Sequence, residues 1–384
     1  MTSVINSIEI WDDLDCSDDI IRGIYSYGFQ DPSEIQKKAI QPISTGKDII
    51  VQAQSGSGKT GCFIIGALTR INSNLNTTQV VIISPTRELS IQTYNVFKQL
   101  GKYVDGLKLQ LLIGGTSKDN DIRDITLNTP HVLISCAGRL TDMLNRNIIK
   151  ADTIQILILD EADELLSYGF KDQIYDIFQY LPSDIQVALF SATIPSDLGA
   201  LTDKFMRDPI KIFVKNTDLT LQGIKQYYVA LDDDSQKNDI IKDIYQLINV
   251  SQSIIYCNSV NRVQRLYENM TESQFPVCQI HSGMDKQERT QNYDDFKNGK
   301  YRVLISSDVT SRGIDIQQVS TVINFDISRD VHTYLHRIGR SGRWGRKGIA
   351  INFVTKRDIN NLSNIEKHYG ITIEELPLNW NENY

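Results

Sequence analysis

Lys59 and Thr60 close an eight-residue stretch, Ala53-Gln54-Ser55-Gly56-Ser57-Gly58-Lys59-Thr60, set between an apolar run over 48–52 and a helical pattern over 61–71. A strand that runs into small residues and then opens a helix aims several backbone N–H groups at one point, with the positive end of the helix dipole behind them. Such a turn cradles phosphate. Lys59 can reach the β and γ phosphates of a nucleotide, and the Thr60 hydroxyl can hold magnesium. Ala53 stands where the phosphate-loop pattern GxxxxGK(S/T) has its first glycine, so for this stretch alone a surface strand-to-helix turn is the competing interpretation.

Asp160-Glu161-Ala162-Asp163 follows the apolar Leu157, Ile158 and Leu159. Asp160 therefore leaves a buried strand, where its carboxylate is tolerable if it faces magnesium through water. Glu161, one residue on, points differently and can orient or deprotonate an attacking water. Taken alone the four residues would read as an acidic helix start that complements the dipole. Beside Lys59 and Thr60 they form a nucleoside triphosphate site.

A second cluster, His336-Arg337-Ile338-Gly339-Arg340-Ser341-Gly342-Arg343, packs three arginines among glycines. Such arginines can reach across a cleft and neutralise a transferring phosphoryl group, although any one of them alone could be a solvated basic turn. Arg289, Ser307-Asp308 and Arg312-Gly313-Ile314-Asp315 lie just after strands or at helix starts, suited to phosphate or ribose. Near the N-terminus Tyr27-Gly28-Phe29 precedes Ser33, a helix start that carries Gln36. Phe29 could stack on a purine and the Gln36 amide, donor and acceptor at once, could bond its edge. A core aromatic beside an exposed glutamine is the plainer alternative.

These residues need elements to place them. β-Branched runs over 79–84, 131–135, 155–160 and 186–191 alternate with longer helical patterns, which predicts an α/β fold with a mostly parallel sheet covered by helices on both faces. Functional residues then belong at the carboxyl edge of the sheet. Pro85-Thr86-Arg87-Glu88-Leu89, Ala137-Gly138-Arg139, the acidic tetrad and Ser191-Ala192-Thr193 all follow predicted strands. After a polar stretch over 216–223 the alternation restarts, with strands over 226–231, 253–257, 277–280, 302–306, 321–325 and 349–354. Two tandem domains are expected, over 1–215 and 225–384, joined by a linker over 216–224.

Composition agrees. The 384 residues are 41% hydrophobic, enough for two cores. Forty lysines and arginines face 47 acids, a net charge of −7, which argues against nucleic-acid binding by bulk positive charge and requires any such grip to be local. No apolar run approaches bilayer length, and residues 1–10 lack a basic segment followed by an apolar one, so a soluble intracellular protein without membrane anchor or secretory signal is expected. Cys16, Cys62, Cys136, Cys257 and Cys278 are widely spaced, which suits buried thiols in a reducing compartment.

The order of motifs carries a resemblance. GFxxPSxIQ over 28–36, AQSGSGKT over 53–60, PTREL over 85–89, Gly114-Gly115, the tetrad DEAD over 160–163, SAT over 191–193, SRGID over 311–315 and HRIGRSGR over 336–343 succeed one another. From about Trp11 to its end the chain resembles a DEAD-box ATP-dependent RNA helicase. Within that family the stretches over 169–175, 219–226 and 374–379 look most like eukaryotic translation initiation factor 4A and its exon-junction paralogue. The resemblance implies two RecA-like domains that close on ATP, Mg2+ and RNA, with RNA-stimulated hydrolysis and local unwinding of short duplexes. An ATP-gated RNA clamp that holds a ribonucleoprotein together is the alternative activity.

The resemblance also implies roles. Phe29 stacks on adenine and Gln36 reads its edge; the loop over 53–60 binds phosphates; Thr60 and Asp160 hold the metal; Glu161 acts on water. Arg340 and Arg343 are fingers from the second domain, Asp315 lies near the ribose, and Ser191, Ala192 and Thr193 couple hydrolysis to RNA. RNA lies across Arg87, Gly115 and Arg139 in one domain and Arg289 and Ser307 in the other. The grip falls on backbone and 2′-hydroxyl, so binding of single-stranded and short duplex RNA with little sequence preference is expected. A monomer governed by a protein scaffold, in the cytoplasm or through a partner in the nucleus, is implied. Some positions depart from the family pattern: Cys136-Ala137 replaces Thr-Pro and removes a hydroxyl from the RNA path, Lys286 replaces a glutamine, Ser90 an alanine, and Thr310-Ser311 an apolar-Ala pair, while Trp11 and Trp344 replace Phe or Tyr.

Overall fold

The structure, a computed structural model, describes residues 7–53, 56–166, 170–194, 197–213, 224–247, 252–310, 319–341 and 348–377. Gln54, Ser55, Asp315, Arg343 and all of the expected linker but Ile224 lie outside the described residues. The chain divides into two compact units, Met1–Asn216 and Thr217–Tyr384.

In the first unit the strands are β1 (Ile49–Gln52), β2 (Val80–Ile83), β3 (Leu109–Leu112), β4 (Val132–Ser135), β5 (Ile156–Asp160), β6 (Gln186–Ser191) and β7 (Ile210–Phe213). They form a parallel sheet in the order β3-β4-β2-β5-β6-β1-β7. The sequence explains why. β2 reads Val-Val-Ile-Ile and β5 begins Ile-Leu-Ile-Leu, all buried. Such runs are stable only where both faces of a sheet are covered. Alternate residues serve two cores: Val80, Ile82, Ile156 and Ile158 pack with Phe63 and Phe97 on one face, while Val81, Ile83, Leu157 and Leu159 pack with Leu140, Met143 and Ile177 on the other.

The helices of this unit that matter for the site are α1 (Asp18–Tyr27), α2 (Glu34–Ser44), α3 (Lys59–Leu68), α4 (Arg87–Leu100), α5 (Lys118–Leu127), α6 (Ala137–Asn145) and α7 (Ala162–Leu165). Helix α1 ends at Gly28, whose φ of +99° suits glycine alone without strain. That turn delivers Phe29 towards α3.

The second unit carries β8 (Ile224–Ala230), β9 (Gln252–Tyr256), β10 (Val277–Ile280), β11 (Val303–Ser306), β12 (Val319–Asn324), β13 (Gly348–Val354) and β14 (Glu374–Glu375), in the order β10-β11-β9-β12-β13-β8-β14. Position by position this repeats the first sheet, with β8 in the place of β1 and β12 in the place of β5. The chemistry at those places differs. After β1 stands the glycine-rich loop; after β8 stand Leu231-Asp232-Asp233-Asp234, which repel phosphate. The second unit therefore has the topology of a nucleotide-binding domain without its cradle.

None of the five cysteines is disulfide-linked; Cys62, Cys257 and Cys278 are buried as expected, whereas Cys16 and Cys136 are half-buried. The correction at Cys136 has a local cause, because it is the residue before α6 at the rim of a groove. No helix among the described residues is long and apolar enough to cross a membrane.

Candidate functional site

The carboxyl edge of the first sheet collects most of the residues singled out above. Ala53, just past β1, donates its N–H to Ser191 O at 3.0 Å, which ties the exits of β1 and β6 together. Gly56 and Gly58 hold φ of +81° and +97°, conformations that any side chain would strain, and Gly58 is the residue before α3. Lys59 and Thr60 thus enter the first turn of α3. The Lys59 ammonium, buried, donates to Ala53 O at 2.7 Å and closes the loop on itself.

The base-binding candidates sit against the same loop. Gln36 is 3% exposed, so the exposed-glutamine alternative does not hold. Its Oε1 accepts from Ser33 N at 2.8 Å and its Nε2 donates to Gly58 O at 3.3 Å, while Ser33 Oγ donates to Ser57 O at 2.9 Å. Helix α2 is thereby fastened to the glycine loop. Phe29 lies between Trp11 (centroids 6.0 Å, 19° apart) and Tyr27 (4.9 Å, 70°). A Cβ on Gly61 would lie 2.8 Å from the Phe29 ring and 3.0 Å from Gln36 Nε2, so the first turn of α3 is glycine because two side chains crowd it.

Asp160 ends β5 and is 2% exposed. Burial first, and the neighbouring Glu161 charge second, push its carboxyl up to about 7, against the pull of Lys59. One ammonium is too little positive charge for this pocket. The residues fit a divalent cation: a carboxylate and the Thr60 hydroxyl are hard oxygen donors, and an ion there would hold Asp160 ionised. Glu161 takes the left-handed conformation (φ +50°, ψ +54°), costly for a side chain with a Cβ, and so turns out of the strand direction. Asp163 donates its N–H to Ser191 Oγ at 3.3 Å and its Oδ2 accepts from Thr193 Oγ1 at 2.7 Å; Ser191 Oγ in turn donates to Thr193 O at 2.6 Å. Ala192 O accepts from Gln52 Nε2 at 3.4 Å. Asp163, the last residue of the tetrad and one with no separate role in the sequence, is the one that joins β5 to the Ser191–Thr193 turn.

Beside this edge runs a groove of about 450 Å³ lined by Pro85, Arg87, Gly115, Cys136, Gly138 and Arg139 among others. Arg87, Gly115 and Arg139, expected to meet RNA, share it. Thr86 caps α4 by accepting from Leu89 N at 3.2 Å, and Gly115 takes φ +99°. Two departures from the family pattern touch: the Ser90 hydroxyl lies 3.5 Å from Cys136 Sγ and donates to Thr86 O at 3.1 Å. Arg139 is not a free cation. It pairs with Asp121 and donates to Thr116 O at 3.0 Å.

In the second unit Arg289 occupies the first turn of the helix Lys286–Lys297, and Ser307 follows β11, its N–H donating to Ile280 O at 3.3 Å. Both stand at the carboxyl edge of that sheet. Arg340 follows the helix Val331–Ile338 and donates Nε to His336 O at 3.2 Å. Arg337, of the same motif, is fully buried and structural: it donates to Asp308 Oδ1 at 2.6 Å, to Asn258 Oδ1 at 2.7 Å and to Asp326 O at 2.8 Å. The solvated-turn alternative therefore fails for Arg337.

Comparison with known proteins meets this geometry. The DEAD/DEAH box helicase family matches residues 33–201, and the helicase conserved C-terminal domain matches residues 236–345. Eukaryotic initiation factor 4A of Caenorhabditis elegans is 48% identical over 96% of this chain and 92% of its own length. ATP-dependent RNA helicase fal1 of Schizosaccharomyces pombe is 46% identical over 98% of this chain and 95% of its own. Dbp5 of S. cerevisiae, solved with RNA and ADP BeF3, superposes with a TM-score of 0.90 at 33% identity, with 98% of each chain covered.

Proposed function

We propose, for a chain that belongs to the DEAD-box family of ATP-dependent RNA helicases, that ATP and single-stranded RNA bind together, draw its two units closed, and bend one strand of a short duplex away from its partner. Hydrolysis then resets the cleft. In this reading Lys59 and the backbone N–H groups of the loop hold the phosphates, Thr60 and Asp160 hold Mg2+, and Glu161 orients the attacking water. Phe29 and Gln36 select the base, Asp315 meets the ribose, and Arg340 with Arg343 neutralises the transferring phosphoryl group.

The observation that carries the reading is the chain of contacts from Ala53 through Ser191 and Thr193 to Asp163. It links the phosphate loop to the acidic tetrad, with the groove of Arg87, Gly115 and Arg139 on the same sheet edge. We infer a monomer that works in the cytoplasm on mRNA, in translation initiation or a related step, with little preference for RNA sequence and a protein scaffold that governs closure. Similarity to initiation factor 4A chains supports that setting.

The test is strand separation of a short fluorescent RNA duplex with ATP. Release of the strand within the lifetime of the RNA complex supports the helicase. Steady ATP-dependent binding with no strand released identifies an RNA clamp instead.

A further inference from the structure

The groove on the first unit contains an arginine whose charge is already answered. Arg139, in α6, is 7% exposed, and Asp121, in α5, is 5% exposed. Arg139 Nη1 donates to Asp121 Oδ2 and to Thr116 Oγ1 at 3.2 Å, and Nη2 donates to Thr116 O at 3.0 Å. The Thr116 hydroxyl lies 3.1 Å from Asp121 Oδ2 and 3.0 Å from Ile113 O. Three segments therefore meet in one knot: the start of α5 and the start of α6, through the buried Asp121 and Arg139, and the turn that carries Gly114 and the exposed Gly115 and Thr116. That turn is tight, with Gly115 at φ +99° and Gly114 bridged to Thr116.

A planar guanidinium suits this task, because its fork addresses a carboxylate and a carbonyl at once. Its bonds point to protein groups, where a phosphate ligand would need them turned to the groove. Gly115, and Gly138 in the first turn of α6, bring backbone to the groove beside the side chains of Arg87 and Lys118. N–H groups at a helix start attract phosphate without a side-chain charge.

We propose that Asp121 is a positioning residue for RNA: with Arg139 and Thr116 it fixes the Gly114–Gly115 turn and the start of α6 as a preformed seat for one backbone phosphate. This rests on the reading that the groove binds RNA. The proposal and simple electrostatics differ in sign. Removing the Asp121 charge makes the groove more positive, which by charge alone tightens RNA binding and steepens its salt dependence. A positioning role makes binding weaker, because the neutral side chain keeps at most an uncharged hydrogen bond to Arg139 and the seat loosens.

The experiment compares the parent chain with Asp121→Asn, Thr116→Val and Thr116→Ser. A short fluorescent oligouridylate is titrated in the presence of a non-hydrolysable ATP analogue, from about 50 to 200 mM salt. The expected result for Asp121→Asn and Thr116→Val is RNA affinity lower by about tenfold, or 1.4 kcal/mol, with no steeper salt slope. The RNA concentration for half-maximal ATPase stimulation rises likewise, while turnover at saturating RNA is kept, and Thr116→Ser restores affinity. Thr116→Val carries the test if Asp121→Asn does not fold. Equal or tighter binding by both variants, with the parent binding well, overturns the positioning role and leaves the RNA reading intact. A parent chain that does not bind the oligonucleotide overturns both.

Discussion

Adding one methyl group at Gly61 should damage nucleotide recognition far more than stability. The Cβ of Gly61→Ala would lie 2.8 and 2.9 Å from two Phe29 ring carbons and 3.0 Å from Gln36 Nε2, whereas ordinary contact begins at 3.4 Å. Phe29 must yield by about half an ångström, and it cannot retreat freely, because Trp11 and Tyr27 stand against it. The overpacking costs about 1–3 kcal/mol. Against this, alanine in place of glycine within α3 regains about 1 kcal/mol of helix propensity. The net loss of stability is thus about 0–2 kcal/mol, small beside the 10 kcal/mol order of a whole domain. The proposed base pocket fares worse, since Phe29 and Gln36 both move. A stacking face and a well-placed amide bond are each worth about 1 kcal/mol, so ATP affinity should fall by about 10- to 100-fold. Titration with a fluorescent ATP analogue, competed by ATP and UTP, measures this. The expected variant binds both triphosphates alike through the intact loop. Full ATP affinity with preference over UTP retained would refute the placement of Phe29 and Gln36 at the base.

Thr193→Val removes the 2.7 Å bond to the buried Asp163 carboxylate, which should cost about 1–3 kcal/mol; duplex strands released per ATP consumed should drop several-fold while ATP turnover persists, as strand-release and phosphate assays run side by side would read. Arg337→Lys replaces a fork with a point charge at a fully buried position whose partners Asp308 and Asn258 are exposed, and a loss of about 1–3 kcal/mol in a denaturant titration is expected. His131 accepts from Lys108 N at 3.0 Å through Nδ1, and burial holds its imidazole below its usual 6.5. The unfolded chain then binds the extra proton first, so stability present above pH 6.5 is lost as pH falls through that value, at up to about 1.4 kcal/mol per pH unit. A melting series between pH 7 and 5, compared with His131→Asn, should show a steeper fall in the parent than in the variant, since burial lowers His281 in both.

Much of the architecture is legible in the chain because central parallel strands write themselves as unbroken apolar runs. β2 and β5 are plain for that reason. β3, β7 and β14 escape the same reading: each lies at the edge of its sheet with at most one residue buried, and Gln110 and Lys211 break the short apolar runs of the first two while β14 is Glu-Glu. The glycine loop and the acidic tetrad are legible through spacing, since phosphate and metal demand fixed residue types at fixed offsets. Asp121 is not, because it is one more acid in a polar helix until Arg139, 18 residues on, comes to rest against it. Arg337 shows the converse. Its motif points to phosphate, and its burial commits it to the fold. Asp163 stands in the open within the tetrad, but its partner Thr193 lies 30 residues away and only the pairing of β5 with β6 brings them together.

In the proposed function Glu161 drives an RNA-coupled hydrolysis of ATP. Steady-state hydrolysis by the parent and by Glu161→Gln, each alone, with single-stranded RNA and with single-stranded DNA, tests it most directly. Turnover in the parent should be raised by RNA and not by DNA. In the variant, hydrolysis should fall by about 10²-fold or more while ATP and RNA still bind. Equal turnover in parent and variant, or turnover indifferent to RNA, would contradict it.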